Sequence, residues 1–576
     1  MARARTHTGP TAGIPERPRR HSSPAVPAPA SDRVPRALSV AVIVVILIAA
    51  ALIRLRLAGA PLERDEGEYA YAGQLVLQGV PPYQLAYNMK FPGTYYAYSV
   101  LLALFGQSPW GIRVGLLVVN AATTMLLYLL ARRWTGERAA LVTAATFAAL
   151  SLDRWIMGVF AHATQFVILP AVAGFLVLDH ALASRRTGLL LAAGSLLGVS
   201  VLMKQHAALF VVFALAITLW RDLRIDRTPM TAALRRAAAL SAGAAAPFAL
   251  ECAVLAAQGV FGRFWFWTVR YARDYVSEVP LSGALPALVS GVRTITLATW
   301  PLWLVAAVGL IGVWFVPWRR GTRAFVLGLL VTSFLTTCPG FYFRDHYFIA
   351  MLPAVALIAG VGVVSLERLP GRLVRGPAAA ALAGGVWLAA LLAWAIPERG
   401  YLFAMSPDDV SRARYGRNLF AEAPAIGRYV RERTSARDRI AVIGSEPEIY
   451  FYAGRRSATG YLYTYPLMEQ QPLAARMQDD MIREIEGAHP AMVVFVASRT
   501  SWAPQPGSDR RVLAWADRYL HRCYDVVGIA ERLPDGSTAM RWGADAVAYR
   551  PRTENVVYTL TRRSDAPCSA SEDGAR

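Results

Sequence analysis

Residues 37–53 read ALSVAVIVVILIAAALI, an uncharged apolar run with Arg36 before it and Arg54 after it. About 20 apolar residues in a helix cross the hydrocarbon core of a bilayer, so this run predicts a first membrane helix. A signal peptide is the alternative, but the cleavage pattern is unconvincing and more apolar runs follow. Residues 1–36 are rich in Pro, Ala, Arg and Ser, which predicts a disordered basic tail held in the cytoplasm.

Further apolar segments follow the first, and most are near the length that a bilayer requires. They occupy residues 111–131, 138–152, 163–182, 188–203, 206–220, 233–257, 292–316, 324–337, 346–366 and 377–396. Together with the first run they predict about eleven spans within a membrane module at residues 37–399. The arginine-rich short loops then lie in the cytoplasm, provided that residues 91–105 rest at the interface instead of crossing.

The composition agrees with a membrane protein. Of the 576 residues, 55% are hydrophobic and 17% are charged, whereas a soluble domain carries about 25% charge. The net charge of +21 comes from 60 basic and 39 acidic residues, and the arginines are concentrated in loops between apolar runs. The positive charge therefore reflects which loops lie in the cytoplasm. It predicts that the protein is embedded in a lipid bilayer and does not bind nucleic acid.

Beyond the last apolar run, residues 400–576 are charged and mixed in composition. Short strands at Arg439–Ile443 and 491–496, with a helix at 474–487 between them, predict a small α/β domain. An odd number of spans places this domain outside the cytoplasm, where a disulfide between Cys523 and Cys568 is permitted. The sequence leaves their pairing open, because it gives no distance between them.

The segment between the first two spans, residues 54–110, opens with Leu62-Glu63-Arg64-Asp65-Glu66-Gly67-Glu68-Tyr69. The apolar residues that follow would hold these acids against the membrane face. Desolvation there raises a carboxyl pKa, which makes Asp65 and Glu66 candidates for general base catalysis. The alternative is an acidic cluster that only caps a helix in solvent.

This segment resembles a known family. The string Arg64-Asp65-Glu66-Gly67-Glu68-Tyr69-Ala70, followed by Lys90-Phe91-Pro92, is similar to the first extracytoplasmic loop of glycosyltransferase family 39. That family includes protein O-mannosyltransferases and bacterial lipid A aminoarabinose transferases, which have the GT-C fold and use polyprenyl-phosphate sugars. The resemblance extends over roughly residues 37–400. Two departures stand out: Lys90-Phe91-Pro92 replaces the usual Lys-Pro-Pro, and Gln165 stands where an acidic residue is common.

The resemblance implies roles for particular residues. It makes Asp65 the base that takes the proton of the acceptor hydroxyl. Lys90, Lys204, Arg344 and His346 become candidates to bind the donor phosphate. The further residues expected to contact substrate are Glu68, Tyr69, Gln165 and Tyr347.

The lysine usage supports two of these positions without reference to the family. Lys90 and Lys204 are the only lysines in the sequence, where every other Lys/Arg position is arginine. Both are predicted at the outer membrane face, and a compact ammonium fits a crowded phosphate site that excludes a guanidinium. Chance survival under biased codon usage is the alternative.

The expected fold is thus a polytopic α-helical membrane protein of GT-C type with a C-terminal extracytoplasmic α/β domain. The expected function is an inverting glycosyltransferase in a bacterial plasma membrane, acting on a protein, lipid or polysaccharide acceptor. No cofactor is expected, although Asp65, Glu66 and Glu68 offer ligands for a divalent cation. The alternatives are a transporter or flippase of lipid-linked glycans, and a ligase that moves a whole glycan.

Overall fold

A computed structural model describes residues 34–368 and 376–564 of the chain. Most of the predicted tail and Cys568 lie outside the described residues, so the tail and the Cys523 pairing stay predictions. The helices before the C-terminal sheet domain are α1 Arg36–Arg56, α2 Arg64–Leu77, α3 Gly93–Phe105, α4 Pro109–Thr135, α5 Glu137–Leu150, α6 Ala163–Ser184, α7 Thr187–Met203, α8 Ala208–Trp220, α9 Met230–Ala257, α10 Phe261–Trp265, α11 Ala272–Val276, α12 Leu281–Leu297, α13 Trp300–Gly312, α14 Thr322–Leu335, α15 Leu352–Arg368 and α16 Pro377–Ala395.

In the described part of the chain, six helices are long and apolar enough to cross a membrane, or seven spans if the bent pair α12 and α13 counts as one. Each segment predicted to span contains a helix, but several of these helices are shorter, among them α5, α7 and α14. The predicted count of about eleven spans is therefore not confirmed. Helix α3 has 13 residues, about 20 Å, close to the 14 residues of α5, so its place at the interface stays a prediction.

Residues 292–316, predicted as one span, do not form one continuous helix. Helices α12 and α13 meet there at an angle of 106°. Pro301 occupies the first turn of α13, where its missing N–H costs nothing, whereas inside a continuous helix it would remove a hydrogen bond and clash. The proline therefore begins a new helix, although the apolar sequence pattern continues across this point.

The C-terminal domain contains a six-stranded mixed sheet in the order β2-β1-β3-β6-β4-β5. The parallel pairs are β1 with β2 and β1 with β3, and the remaining pairs are antiparallel. Its elements are α17 Pro407–Tyr415, α18 Ala423–Glu432, β1 Arg439–Ile443, α19 Glu448–Ala453, β2 Arg456–Ser457, α20 Tyr465–Met468, α21 Ala474–Ala488, β3 Met492–Val496, α22 Arg499–Trp502, α23 Arg511–Cys523, β4 Tyr524–Arg532, β5 Thr538–Trp542, α24 Ala544–Ala548 and β6 Val556–Arg562. Strands β1 and β3 and helix α21 lie within one residue of the predicted bounds.

Helix α2 packs between the helical module and the C-terminal domain. Its buried side chains share one apolar core with α3 and with residues of α18, α19 and β1. Polar contacts add to this packing: the Arg64 guanidinium lies 2.8 Å from Glu446, and the Tyr71 hydroxyl donates to Ser457 at 2.9 Å. The domain is thus joined to the helix that carries the acidic motif.

Gly67 allows this close approach. A Cβ atom at position 67 would lie 2.5 Å from the backbone nitrogen of Glu448, the first residue of α19. No real Cβ contact is that short, so α2 and α19 can pack at this distance only with glycine at position 67.

We expect Gly67→Ala to destabilise the protein by about 1–3 kcal/mol, because α19 must move to admit the methyl group. Thermal unfolding of the purified chain in detergent measures the change. Gly384→Ala in α16 is the matched control, since a Cβ there meets no atom within 4 Å. Equal losses of Tm in the two variants would contradict the role given to Gly67.

Candidate active site

A cavity of about 1270 Å³ opens beside the first turn of α2. The turn at Lys204 and the segment before α15 form part of its wall, and the C-terminal domain contributes Tyr463 and Tyr465. Seven of the residues selected from the sequence line it: Asp65, Tyr69, Lys90, Lys204, Arg344, His346 and Tyr347. The structure thus brings together residues that are up to about 280 positions apart in the sequence.

Asp65 is held at the start of α2 by the cap of that helix. Glu63 is the N-cap residue, and its side chain and that of Glu66 form a reciprocal capping box. The Asp65 Oδ1 atom accepts hydrogen bonds from Lys90 Nζ at 2.9 Å and from the Tyr463 hydroxyl at 3.1 Å. Burial by itself would raise the pKa of Asp65, but Lys90, His346 and His162 together outweigh burial and hold that pKa well below its usual range. The carboxylate is therefore ionised at neutral pH.

Lys90 bridges two carboxylates. Its Nζ atom also lies 2.6 Å from Glu68 Oε2, and it lies 4.6 Å from the centre of the Tyr69 ring. Burial opposes the charged form, yet Asp65 and Glu68 raise the pKa of Lys90 above its ordinary value. The charge of Lys90 is thus already balanced by protein carboxylates, which leaves it less available to a phosphate than the sequence suggests.

Lys204 and Arg344 provide the cavity with positive charge and form no ion pair with a carboxylate among the described residues. Lys204 Nζ lies 3.9 Å from the centre of the Tyr347 ring and 3.5 Å from Thr164 Oγ1. The Arg344 guanidinium lies 5.2 Å from the centre of the Tyr342 ring. Among the residues that the structure describes, no carboxylate oxygen forms an ion pair within 4 Å of either cation. Desolvation, with smaller contributions from Lys90 and Arg344, lowers the pKa of Lys204 to about 7.

Three residues selected from the sequence do not line the cavity. Glu66 is fully buried, and both of its oxygens pair with Arg113 of α4, one of them at 2.8 Å. Gln165 is fully buried and donates to the Gly158 carbonyl at 3.0 Å. Glu66 therefore has no catalytic position and Gln165 has no substrate contact, because both side chains form their hydrogen bonds inside the protein.

Glu68 is the third of these residues. It is fully buried and binds Lys90, the Tyr95 hydroxyl at 2.5 Å and the Tyr463 hydroxyl at 2.9 Å. It can orient Lys90 and Tyr463 but does not reach a ligand in the cavity. The cation site suggested by Asp65, Glu66 and Glu68 is not formed, since the two glutamates point into protein.

Sequence reasoning missed two residues of the site. His162 lies just before α6, and its ring stacks on that of His346 at a centroid distance of 4.3 Å. Tyr463 comes from the C-terminal domain, almost 400 residues after Asp65. His162 stands three residues before Gln165, so attention to that loop could have found it, whereas no local signal marks Tyr463.

The overall structure is similar to two solved membrane proteins. ArnT from Cupriavidus metallidurans bound to undecaprenyl phosphate has 17% identity and a TM-score of 0.54, covering 91% of this chain and 97% of that one. The archaeal oligosaccharyltransferase AglB from Archaeoglobus fulgidus, in complex with an inhibitory peptide and a dolichol-phosphate, has 13% identity and a TM-score of 0.53, covering 92% and 76%. This likeness shows the fold, which is the polytopic GT-C fold.

Sequence comparison finds similarity to one family over part of the chain. The profile described as dolichyl-phosphate-mannose-protein mannosyltransferase matches residues 89–248. The undecaprenyl phosphate-alpha-4-amino-4-deoxy-L-arabinose arabinosyl transferase of Pseudomonas aeruginosa strain UCBPP-PA14 is 33% identical over 216 residues, 35% of this chain and 38% of that protein. Its counterpart in strain LESB58 is 30% identical over 253 residues, 39% and 45% of the two chains.

These matches confirm the resemblance to glycosyltransferase family 39. The chain spans less than half the length of the curated relatives it matches. The profile match begins at residue 89, so the acidic motif around Asp65 precedes it. The roles of the motif residues therefore depend on the geometry described above.

We expect Glu66→Gln to cost about 3–5 kcal/mol of stability, because it leaves the buried Arg113 charge without its partner. Unfolding in detergent, followed by tryptophan fluorescence, measures this loss. Glu432→Gln is the matched control: Glu432 is 60% exposed and pairs with Arg433, which is 48% exposed, and removing such a pair costs about 0–1 kcal/mol. A Glu66→Gln protein of wild-type stability but without activity would instead support a catalytic Glu66.

Proposed function

We propose that the protein is an inverting glycosyltransferase that moves a sugar from a polyprenyl-phosphate donor to a hydroxyl acceptor at the outer face of the bacterial plasma membrane. One observation carries the proposal: an ionised Asp65 and two cations without carboxylate partners, Lys204 and Arg344, line the same cavity. A carboxylate suits the acceptor hydroxyl, and the cations suit a phosphate leaving group.

In the proposed reaction the acceptor oxygen attacks the anomeric carbon of the sugar. An aspartate is far too weak to deprotonate an alcohol in advance, so Asp65 takes the proton late, as the new C–O bond forms. The bond between the anomeric carbon and the phosphate oxygen breaks on the opposite face, which inverts the configuration. The leaving polyprenyl phosphate gains negative charge, which Lys204 and Arg344 stabilise.

In this scheme Lys90 and Tyr463 orient the Asp65 carboxylate. Both bind Asp65 Oδ1, so the carboxylate presents its second oxygen, Oδ2, to the cavity. Preorganised contacts of this kind spare the site the cost of reorganising during the reaction. His346 and Tyr347 complete the wall beside the cations, and Tyr69 lies beneath Lys90.

A lipid-linked donor is favoured by two considerations. The curated relatives are named for undecaprenyl phosphate aminoarabinose, and the ArnT structure contains undecaprenyl phosphate. Nucleotide sugars are absent outside the cytoplasm, and the arginine distribution predicts that the acidic loop and the C-terminal domain lie there. The proposal covers pentosyl and hexosyl donors and protein, lipid or polysaccharide acceptors.

We expect Asp65→Asn to lower transfer by about 10²–10⁴-fold while donor binding persists, because the amide cannot accept the proton. The assay uses purified protein in lipid, a panel of radiolabelled polyprenyl-phosphate sugars and crude cell-envelope extract, and measures released polyprenyl phosphate. Asp274→Asn, which alters an aspartate outside the cavity wall, is the control. Wild-type release by Asp65→Asn would remove the proposed base. Folded wild-type protein that releases nothing from any donor would favour a transporter.

The pH dependence of donor binding tests Lys204. With a pKa lowered to about 7, its ammonium is charged below that pH and loses its proton above it, so the donor KM should rise as the pH passes 7. In Lys204→Arg the KM should stay flat, because arginine remains charged. Lys90→Arg is the control and should keep the wild-type rise, since the pKa of Lys90 is raised. The same rise in Lys204→Arg would exclude Lys204 as its source.

A further inference from the structure

Two side chains in the cavity wall each hold a hydrogen-bond acceptor that receives no donor. They are His162, just before α6, and Asn418, in the segment between α17 and α18. Among the described residues, neither His162 Nδ1 nor Asn418 Oδ1 has a hydrogen-bond partner, and both atoms are buried. A buried acceptor without a donor costs free energy, so these two atoms mark places where a bound molecule can donate a hydrogen bond.

The contacts around His162 fix its tautomer. Its Nε2 atom lies 3.1 Å from the sulfur of Met157, which can only accept, so Nε2 carries the proton. Burial lowers the pKa of His162 to about 3, so the ring is neutral at neutral pH and Nδ1 keeps its lone pair. Glu63 Oε1 and Asp65 Oδ2 lie 3.6 Å and 3.8 Å from Nδ1, both beyond hydrogen-bond distance. The lone pair of Nδ1 therefore needs a donor from a ligand.

The amide of Asn418 is oriented in a similar way. Its Nδ2 atom donates to the Tyr415 carbonyl at 2.8 Å, which leaves Oδ1 as the end of the amide that lacks a partner. The Tyr415 hydroxyl lies 3.8 Å from the sulfur of Met157, the same atom that His162 Nε2 contacts. His162 and Asn418 are thus linked through Met157 and Tyr415 and belong to the same part of the cavity wall.

Asp65 supplies a third acceptor. Lys90 and Tyr463 both bind its Oδ1 atom, and no hydrogen bond to Oδ2 occurs among the described residues. In the proposed function Oδ2 takes the proton of the reacting hydroxyl, and it lies 3.8 Å from His162 Nδ1. Two hydroxyls on neighbouring carbon atoms can each donate one hydrogen bond to two acceptors at this separation. The site therefore suits a reacting hydroxyl that has a second hydroxyl beside it.

We propose that the acceptor substrate is a carbohydrate that presents a vicinal diol to this part of the wall. One hydroxyl attacks the anomeric carbon and gives its proton to Asp65 as polyprenyl phosphate leaves. The neighbouring hydroxyl donates to His162 Nδ1, and a further hydroxyl donates to Asn418 Oδ1. This inference rests on the proposed function and narrows its acceptors from protein, lipid or polysaccharide to molecules that carry such a diol.

A peptide acceptor fits this wall less well. A serine or threonine side chain brings one hydroxyl, and the backbone N–H groups beside it come with carbonyl oxygens that need donors of their own. The three atoms that the wall offers are all acceptors: Asp65 Oδ2, His162 Nδ1 and Asn418 Oδ1. Carbohydrate hydroxyls can donate to all three, because each hydroxyl carries an O–H group.

Chemical treatment of the acceptor tests its class. Crude cell-envelope extract is oxidised with periodate, which cleaves vicinal diols, and is quenched before radiolabelled polyprenyl-phosphate sugars and wild-type protein in lipid are added. We expect release of polyprenyl phosphate to fall at least tenfold relative to extract that received periodate already quenched. Extract digested with a protease, which is then inactivated, should support release at the untreated level. Release that survives periodate, or that is lost after protease digestion, would overturn the proposal.

Substitutions test the two residues. His162→Leu and Asn418→Leu each remove one acceptor, so each should raise the apparent acceptor KM about 3–10-fold and leave the donor KM unchanged. His162→Asn keeps an acceptor in its amide and should recover part of this loss. Asn120→Leu is the matched control: Asn120 Oδ1 is also buried without a partner, but Asn120 lies in α4 outside the cavity wall, so both KM values should stay at wild type.

Wild-type acceptor KM in both His162→Leu and Asn418→Leu would overturn the assignment of these residues. Melting curves in detergent identify a variant that fails to fold, and the other variant and the periodate result then decide. Absence of release from untreated extract with every donor would contradict the proposed function itself. Normal release that survives periodate would contradict only the carbohydrate acceptor.

Discussion

The Lys90 ammonium holds the candidate site together. It binds Asp65 and Glu68, which both lie on helix α2. Lys90 itself belongs to a turn 22 to 25 residues later in the chain. Two carboxylates in a largely desolvated position would repel each other and favour protonation. With Lys90 between them, Asp65 stays ionised and the loop from α2 to α3 is fixed against the helix. The geometry of the cavity wall depends on this bridge.

The C-terminal domain completes the same arrangement. The Tyr463 hydroxyl lies within hydrogen-bond distance of both carboxylates that Lys90 binds, while Gly67 lets α19 approach α2 at backbone distance. On the opposite side of α2, the buried Glu66–Arg113 pair ties the helix to α4. Helix α2 is thus held from both sides, and its first turn has little freedom to relocate Asp65. Such rigidity suits the proposed role of Asp65 as a proton acceptor.

The division of charge within the cavity is informative about mechanism. Lys90 is neutralised by protein carboxylates, whereas Lys204 and Arg344 have none within 4 Å among the residues described. An anionic ligand would bind most favourably beside Lys204 and Arg344, and a hydroxyl group would find its hydrogen-bond acceptor in Asp65. This separation matches the two halves of the proposed glycosyl transfer. The imidazoles of His162 and His346 lie next to the Asp65 carboxylate.

The sequence by itself determined the class of protein and the local elements. Apolar runs fix where membrane helices form, since burial of the backbone in lipid requires them, and strand patterning located β1 and β3 closely. It also identified Asp65, Lys90 and Lys204, through a short motif and an unusual use of lysine. Tertiary structure alone decided which neighbours of Asp65 face the cavity. Successive residues of a helix point about 100° apart, so Asp65 lines the cavity while Glu66 turns toward Arg113. Only folding could add Tyr463, because no local pattern records a contact made across almost 400 residues.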